Sequence, residues 1–240
     1  IIPVRYKSTR FPGKAMVDIN GKTMVQRVLE QSSRAKGLDK VLVATDEQVI
    51  FDHILSIGGD VCMTSSDHPS GTDRCKEALA QEKDSYDFVV NIQGDEPFID
   101  PRQIDQLIDG LDQDVQIATQ AKLIEQSNQI FDPNCVKVIM DPSGHALYFS
   151  RTAIPHVRNH PQHLWTSHFQ YHQHIGIYAY RTDILNEVTE LQVSSLEQAE
   201  GLEQLRWLEN SYTIKVLTTS YQAHGIDTPE DLEKVLNNKL

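Results

Sequence analysis

The amino-acid sequence predicts an α/β fold with a largely parallel central sheet, on two observations. Short β-branched runs alternate with stretches whose apolar residues recur at helical spacing, the pattern of strands joined by crossover helices. The strongest of those runs, Phe88–Ile92, leads directly into Gln93-Gly94-Asp95-Glu96-Pro97, and open α/β sheets carry their ligands beyond the carboxyl ends of their strands.

The elements follow in order. Ile1–Val4 reads as a buried strand, and a loop carrying proline, glycine and several cations runs from Arg5 to Lys14. Met24, Val25, Val28 and Leu29 form one face of a helix. Val41–Ala44 is the second strand, ending at Thr45-Asp46. Val49, Ile50, Ile54 and Ile57 mark a helix closed by Gly58-Gly59, the usual stop signal. After the third strand the pattern loosens. Val136–Met140 and Ala146–Phe149 flank Asp141-Pro-Ser-Gly144, a hairpin signal. Residues 155–173 are rich in His, Pro and Gln and read as a loop or lobe boundary. Ile175–Tyr180 and Ile214–Leu217 are strands, and Leu202, Leu205 and Leu208 share a helix face. Thr228 followed by Asp231, with Pro229 at the first helical position, opens a last helix. The chain is expected to be one domain, 1–240, with a small lobe around 130–180.

Composition narrows the function. A formal net charge of −12 on 240 residues argues against non-specific nucleic-acid binding, which needs a basic face. Cys62, Cys75 and Cys135 form no CxxC pair and no zinc spacing, so reduced thiols in a cytosolic protein are expected. No apolar run approaches the ~20 residues of a membrane span, so no membrane insertion is expected, and no secretory leader pattern is seen at Ile1. His160, His163, His168, His172 and His174 crowd one segment. No cysteine or carboxylate spacing supports a zinc site there, and a solvated loop is expected.

Against this acidic background, Arg5, Lys7, Arg10 and Lys14 put four cations within ten residues, directly after a strand and around Pro12-Gly13. A strand fixes such a loop, a glycine lets backbone approach a ligand, and cations neutralise phosphate oxygens. The loop is not a Walker A motif, which would need glycine at Ser8 and Ser or Thr at Ala15. From spacing alone, a triphosphate site and a solvated basic loop fit equally well.

The segment Ile2-Pro3-Val4-Arg5-Tyr6-Lys7-Ser8-Thr9-Arg10-Phe11-Pro12-Gly13-Lys14 resembles the N-terminal signature of CMP-sugar synthetases. Further segments resemble the KDO-specific branch (KDO, 3-deoxy-manno-octulosonate), in the right order. They are Ser70–Arg74, Asn91–Pro97, Ala146–Arg151 with Ile154-Pro155, His174–Tyr180, Leu202–Arg206 and Gly225–Leu232. Val4 and Ala15-Met16 depart from the family's alanine and Pro-Leu, and His156–Gln173 has no family pattern. The resemblance implies a Rossmann-like nucleotidyltransferase with a smaller dimerisation and sugar-binding lobe. The implied reaction is CTP plus KDO giving CMP-KDO and pyrophosphate, with a related acidic sugar (8-amino-KDO or sialic acid) as the alternative. A cytoplasmic homodimer serving lipopolysaccharide or capsule assembly is implied as well.

Carried over residue by residue, the resemblance gives Arg10 and Lys14 to the CTP phosphates, with Arg5, Arg74 and Gln93 near the nucleotide. Asp95 and Asp227 become ligands of Mg²⁺, although Asp227 on its own reads as a helix-start carboxylate. Arg151, His174, Tyr178, Glu203 and Gln204 fall in the segments that resemble the sugar pocket. Tyr178 on its own reads equally as a core aromatic, since it alternates within an apolar run.

Overall fold

The computed structural model describes residues 1–6, 11–221 and 225–237. The chain forms two compact units, one made of 1–109 with 222–240 and the other of 110–221.

The first unit contains β1 (Ile2–Val4), β2 (Asp18–Ile19), β3 (Lys22–Thr23), α1 (Met24–Ser32), β4 (Leu42–Thr45), α2 (Gln48–Ser56), β5 (Asp60–Met63), α3 (Gly71–Ala80), β6 (Phe88–Asn91) and α4 (Pro101–Asp109). β1, β4 and β5 pair in parallel, Val4 opposite Thr45 and Thr45 opposite Met63, so three strands end level at one carboxyl edge. The Ile92 N–H donates to the Ile1 carbonyl at 3.0 Å, which sets the end of β6 beside β1. β4 is buried along its whole length, as expected for a strand covered on both faces. Ala78 of α3 packs with Leu42, Ala44 and Cys62 against the sheet. The predicted face of α1 is the buried one: Met24, Val25, Val28 and Leu29, with Thr23 capping the Gln26 N–H.

The second unit contains β7 (Ile117–Leu123), α5 (Ser127–Phe131), β8 (Lys137–Met140), β9 (Ala146–Ser150), α6 (Trp165–His168), β10 (His172–Arg181), α7 (Thr182–Val188), α8 (Ser195–Glu200), α9 (Gln204–Glu209) and β11 (Ile214–Thr218). Its strands run in the order β11-β7-β10-β8-β9. β11 joins β7 in parallel, whereas β10 lies antiparallel to both β7 and β8. The β8–β9 hairpin is turned by Asp141, whose side chain accepts from the Ser143 and His145 N–H groups, with Gly144 at φ 85°. The final helix, α10 (Pro229–Leu236), returns to the first unit.

The histidine-rich stretch differs from the loop expected of it. It contains a helical turn around Trp165, which is buried in a cluster with Ile124, Ile130, Cys135 and Tyr171 and donates its indole N–H to the His160 carbonyl at 3.0 Å. One large buried aromatic suffices to order a polar segment whose periodicity gives no sign of it. His160 and His168 stack at 3.6 Å between ring centroids. Among the described residues no three His, Cys, Asp or Glu side chains gather closely enough to hold a metal ion, and no helix is long and apolar enough to cross a membrane. Cys62, Cys75 and Cys135 are buried and form no disulfide.

Candidate active site

In the first unit the site is built at the carboxyl edge of the parallel strands. Gly13 has φ 72°, in the left-handed region, which glycine enters without the steric cost of a Cβ. Its N–H donates to the Tyr6 carbonyl at 3.0 Å and closes the loop, and the 3₁₀ turn Lys14–Met16 starts on the next residue. Pro12-Gly13 is thus the turn that delivers Lys14. The Lys14 Nζ donates to Asp95 Oδ2 at 2.7 Å and to Asp227 Oδ1 at 3.0 Å. Two oxygens bonded to one nitrogen at those lengths lie no more than about 6 Å apart, although the residues come from distant parts of the sequence.

Both carboxylates are fixed by backbone. Gly94 packs so closely on β1 that a Cβ there would stand 2.9 Å from Val4 Cγ2 and 3.1 Å from the Pro3 carbonyl oxygen. Asp95 follows at once, and its own carbonyl accepts the Ile226 N–H at 2.9 Å. Ile226 is fully buried with Ile19, Met24 and Val235, against Phe11 and Phe98, so Asp227 extends from a packed anchor. The helix-capping role that its position suggests falls to its neighbours. Thr228 caps α10 and Asp231 completes the capping box, accepting the Asp227 and Thr228 N–H groups.

The electrostatics agree with this geometry. Burial lowers the pKa of Lys14, but Asp95 and Asp227 outweigh it and hold the ammonium above its ordinary value. Lys14 is therefore the cation at the centre of the cluster.

The other predicted nucleotide residues take distinct places. Arg5 is exposed and donates to the His68 carbonyl at 2.6 Å. Gln93 opens the turn whose far end is the Glu96 N–H, 3.3 Å from the Gln93 carbonyl. Arg74 is wholly enclosed: its guanidinium bonds the Thr64 hydroxyl and lies 3.4 Å from Asp46 Oδ1. Arg10 lies outside the described residues.

In the second unit a β-bulge brings the sugar-segment residues together. His174 stands opposite Ala121 and Tyr178 opposite Thr119, with the register of β10 shifting between Ile175 and Tyr178. Four residues of β10 thus span two of β7, and the His174 and Tyr178 ring centroids lie 5.3 Å apart. The Thr119 Oγ1 occupies the bulge, 2.7 Å from the Ile177 carbonyl, 3.1 Å from that of Ile175 and 3.0 Å from His174 Nε2. With the hydroxyl proton directed to a carbonyl, His174 donates from Nε2, which makes Nδ1 the acceptor. Burial pushes the His174 pKa down to about 3, so the imidazole is neutral. Trp207 meets Tyr178 edge-on at 5.2 Å. Burial and the nearby Glu203 charge raise the Tyr178 pKa well above its ordinary value. Glu203 precedes α9, and Gln204, its first residue, is buried. Arg151 spends its guanidinium on backbone: Nε donates to the Glu200 carbonyl at 2.7 Å, one terminal nitrogen to Pro133 at 3.0 Å and the other to Gly201 at 3.3 Å.

Comparison with known proteins decides the family. The cytidylyltransferase family model matches residues 1–215. The 3-deoxy-manno-octulosonate cytidylyltransferase of Cytophaga hutchinsonii is 50% identical over 236 residues, covering 98% of this chain and 94% of its own. The chain belongs to the 3-deoxy-manno-octulosonate cytidylyltransferases. The family's Parabacteroides distasonis member is also 50% identical, over 98% of this chain and 95% of its own. A solved CMP:2-keto-3-deoxy-manno-octonic acid synthetase complexed with CTP aligns at TM-score 0.92 and 40% identity, covering 99% of this chain and 96% of that one. The 4-diphosphocytidyl-2C-methyl-D-erythritol synthase of Anaerococcus prevotii, at 14% identity and TM-score 0.64, shares the fold. The sequence therefore identifies the family and the nucleotidyltransferase fold correctly. Sequence reasoning passes over Thr119 and Trp207, whereas the capping box of Thr228 and Asp231 is the one the sequence predicts. Thr119 left a signal in Ile117-Ala118-Thr119-Gln120-Ala121, two polar residues inside a β-branched apolar run, all five of them buried.

Proposed function

We propose that this enzyme transfers CMP from CTP to KDO, releasing pyrophosphate and activating the sugar for lipopolysaccharide or capsule assembly. The observation that carries the chemistry is the convergence of Lys14, Asp95 and Asp227 on one point. The substrates are those that the names of full-length relatives and of the CTP-bound structural neighbour state for those proteins.

The donor set fits a divalent cation. Two carboxylates already share a positive centre, the Lys14 ammonium, and hard carboxylate oxygens are what Mg²⁺ takes, its remaining positions filled by phosphate and water. Asp95 and Asp227 would hold Mg²⁺, which supplies charge shielding of the triphosphate and a lower pKa for the attacking hydroxyl. The protein's own part is position and field. Lys14 and Arg10 neutralise the phosphates as pyrophosphate leaves, with Arg5 and Gln93 beside the nucleotide. Arg74 supports that edge from beneath through Thr64 and Asp46. The anomeric hydroxyl of the sugar loses its proton to solvent as its oxygen attacks the α-phosphorus and forms the new P–O bond. The bond to the β-phosphate oxygen breaks, and pyrophosphate leaves. No side chain is assigned as general base.

The polar groups of the second unit suit a polyhydroxylated acid. His174 Nδ1 accepts from a sugar hydroxyl, the Tyr178 hydroxyl stays protonated and donates, and Glu203 and Gln204 bind further hydroxyls. Arg151 contributes positive charge for the carboxylate. The enzyme works in the cytoplasm as a homodimer. Light scattering at micromolar concentration should give the mass of two chains, and the mass of one would contradict it.

Pyrophosphate release from CTP and Mg²⁺ with KDO, 8-amino-KDO and sialic acid in parallel tests the assignment. KDO is expected to turn over fastest. Equal or faster turnover of sialic acid would overturn the reading.

A further inference from the structure

Lys137 lies in β8 with no solvent exposure, and burying a lysine is costly unless its charge and donors are satisfied. No carboxylate among the described residues forms an ion pair with it. Its Nζ instead donates to three carbonyls: Asp132 at 3.0 Å, Cys135 at 2.6 Å and Arg151 at 2.5 Å. An ammonium has three hydrogens, and three backbone acceptors take them all.

The bonds around it form a closed frame. Lys137 holds the Arg151 carbonyl. The Arg151 N–H donates to Glu200 Oε2 at 2.9 Å, and the Ser150 hydroxyl to Glu200 Oε1 at 2.6 Å. The Arg151 guanidinium then ties Pro133, Glu200 and Gly201 through their carbonyls. Gly201 ends α8 at φ 61°, and Glu203 and Gln204 follow within three residues. On the other side, Lys137 pairs with Gln173, and the Val136 carbonyl accepts the His174 N–H at 2.8 Å. One buried ammonium therefore sits where the segments of Arg151, of Glu203 and Gln204, and of His174 are tied together.

We propose that Lys137 is the positioning residue of the sugar site, holding Arg151 and the 200–204 segment in register with His174 through its three carbonyl bonds. The proposal rests on the sugar-site reading above. Methionine has nearly the length of lysine and no donors, so Lys137→Met takes the ammonium from all three carbonyls, and among the described residues only that of Asp132 keeps another donor, the Cys135 N–H at 3.1 Å. With initial rates of pyrophosphate release, Lys137→Met is expected to raise the KM for KDO about tenfold or more while leaving the KM for CTP within about twofold. In deuterium exchange, peptides covering 200–204 should exchange faster and those covering β11 should not. A KDO KM within about twofold of wild type, or equal rises for both substrates, would overturn the proposal. If Lys137→Met does not fold, Glu200→Gln opens the same frame from the opposite side, and the same two measurements on it support or overturn the proposal by the same outcomes. If the wild-type enzyme fails to use KDO, the functional reading falls. The exchange pattern then decides the frame alone: local acceleration at 200–204 upholds it, and unchanged or unit-wide exchange removes it.

Discussion

Replacing Asp95 with asparagine removes one negative charge and little else from the cluster. The Lys14–Asp95 bond, 2.7 Å long, joins side chains that are 17% and 29% exposed. A charge-assisted bond contributes about 1.5–3 kcal/mol, and solvent screening brings that toward about 1 kcal/mol here. The same substitution relieves repulsion from Asp227, which lies within about 6 Å and is 43% exposed, an offset of about 1 kcal/mol after screening. The two nearly cancel, so Tm should move by no more than about 4 °C. Catalysis should respond very differently, because losing a preorganised charge where pyrophosphate departs costs about 10²–10³ in kcat. Pyrophosphate release at saturating CTP and KDO reads the rate, and Mn²⁺ titration followed by electron paramagnetic resonance without nucleotide reads the metal. The expected result is a folded protein with kcat down at least about a hundredfold and weakened Mn²⁺ binding. A kcat within about tenfold of wild type, or a Tm loss above about 10 °C, would show that Asp95 is structural.

His174 is a base whose folded pKa, about 3, lies below its ordinary value near 6.5. The unfolded chain therefore binds more protons between those values, and stability falls as pH drops through that window. His174→Asn should remove about 2 kcal/mol of that loss at pH 5, read as a smaller Tm drop between pH 7.5 and 5 than in wild type; an identical drop would refute the burial argument. Gly94→Ala places a methyl group 2.9 Å from Val4 Cγ2 and 3.1 Å from the Pro3 carbonyl oxygen. It should cost about 1–3 kcal/mol in denaturant titration and lower kcat about tenfold by displacing Asp95; wild-type values for both would show that the loop yields freely. Arg74→Met strips a fully enclosed guanidinium from Asp46, itself 10% exposed. An unpartnered buried carboxylate costs about 3–5 kcal/mol, so a stability loss below about 1 kcal/mol would show that the pair is not structural.

Most of the first unit could be read from the sequence because its signals are local. A buried parallel strand is a short apolar run, an amphipathic helix repeats at 3.6 residues, and Gly13 marks a left-handed turn. The strands Val41–Ala44 and Phe88–Ile92, the face of α1 and the start of α10 follow from such patterns. β5, with only Cys62 buried, and α3, whose buried set includes Thr72 and Arg74, gave no clear pattern. The second unit resists the same reading for a physical reason. β7 is buried through Thr119 and Gln120, the Thr119 hydroxyl finding its partners far along the chain, and Lys137 is a buried charge at the start of β8 that three backbone carbonyls make tolerable. The family motifs brought the site residues to notice, but not what holds them. The β10 bulge filled by the Thr119 hydroxyl becomes visible only with the chain folded.

The most direct test of the central claim is to identify the product. Incubated with CTP, Mg²⁺ and KDO, the enzyme should give one new phosphodiester resonance in ³¹P NMR, an equal amount of pyrophosphate and the mass of CMP joined to KDO. Free CMP with pyrophosphate and no sugar adduct, or an adduct formed faster with sialic acid than with KDO, would contradict the account.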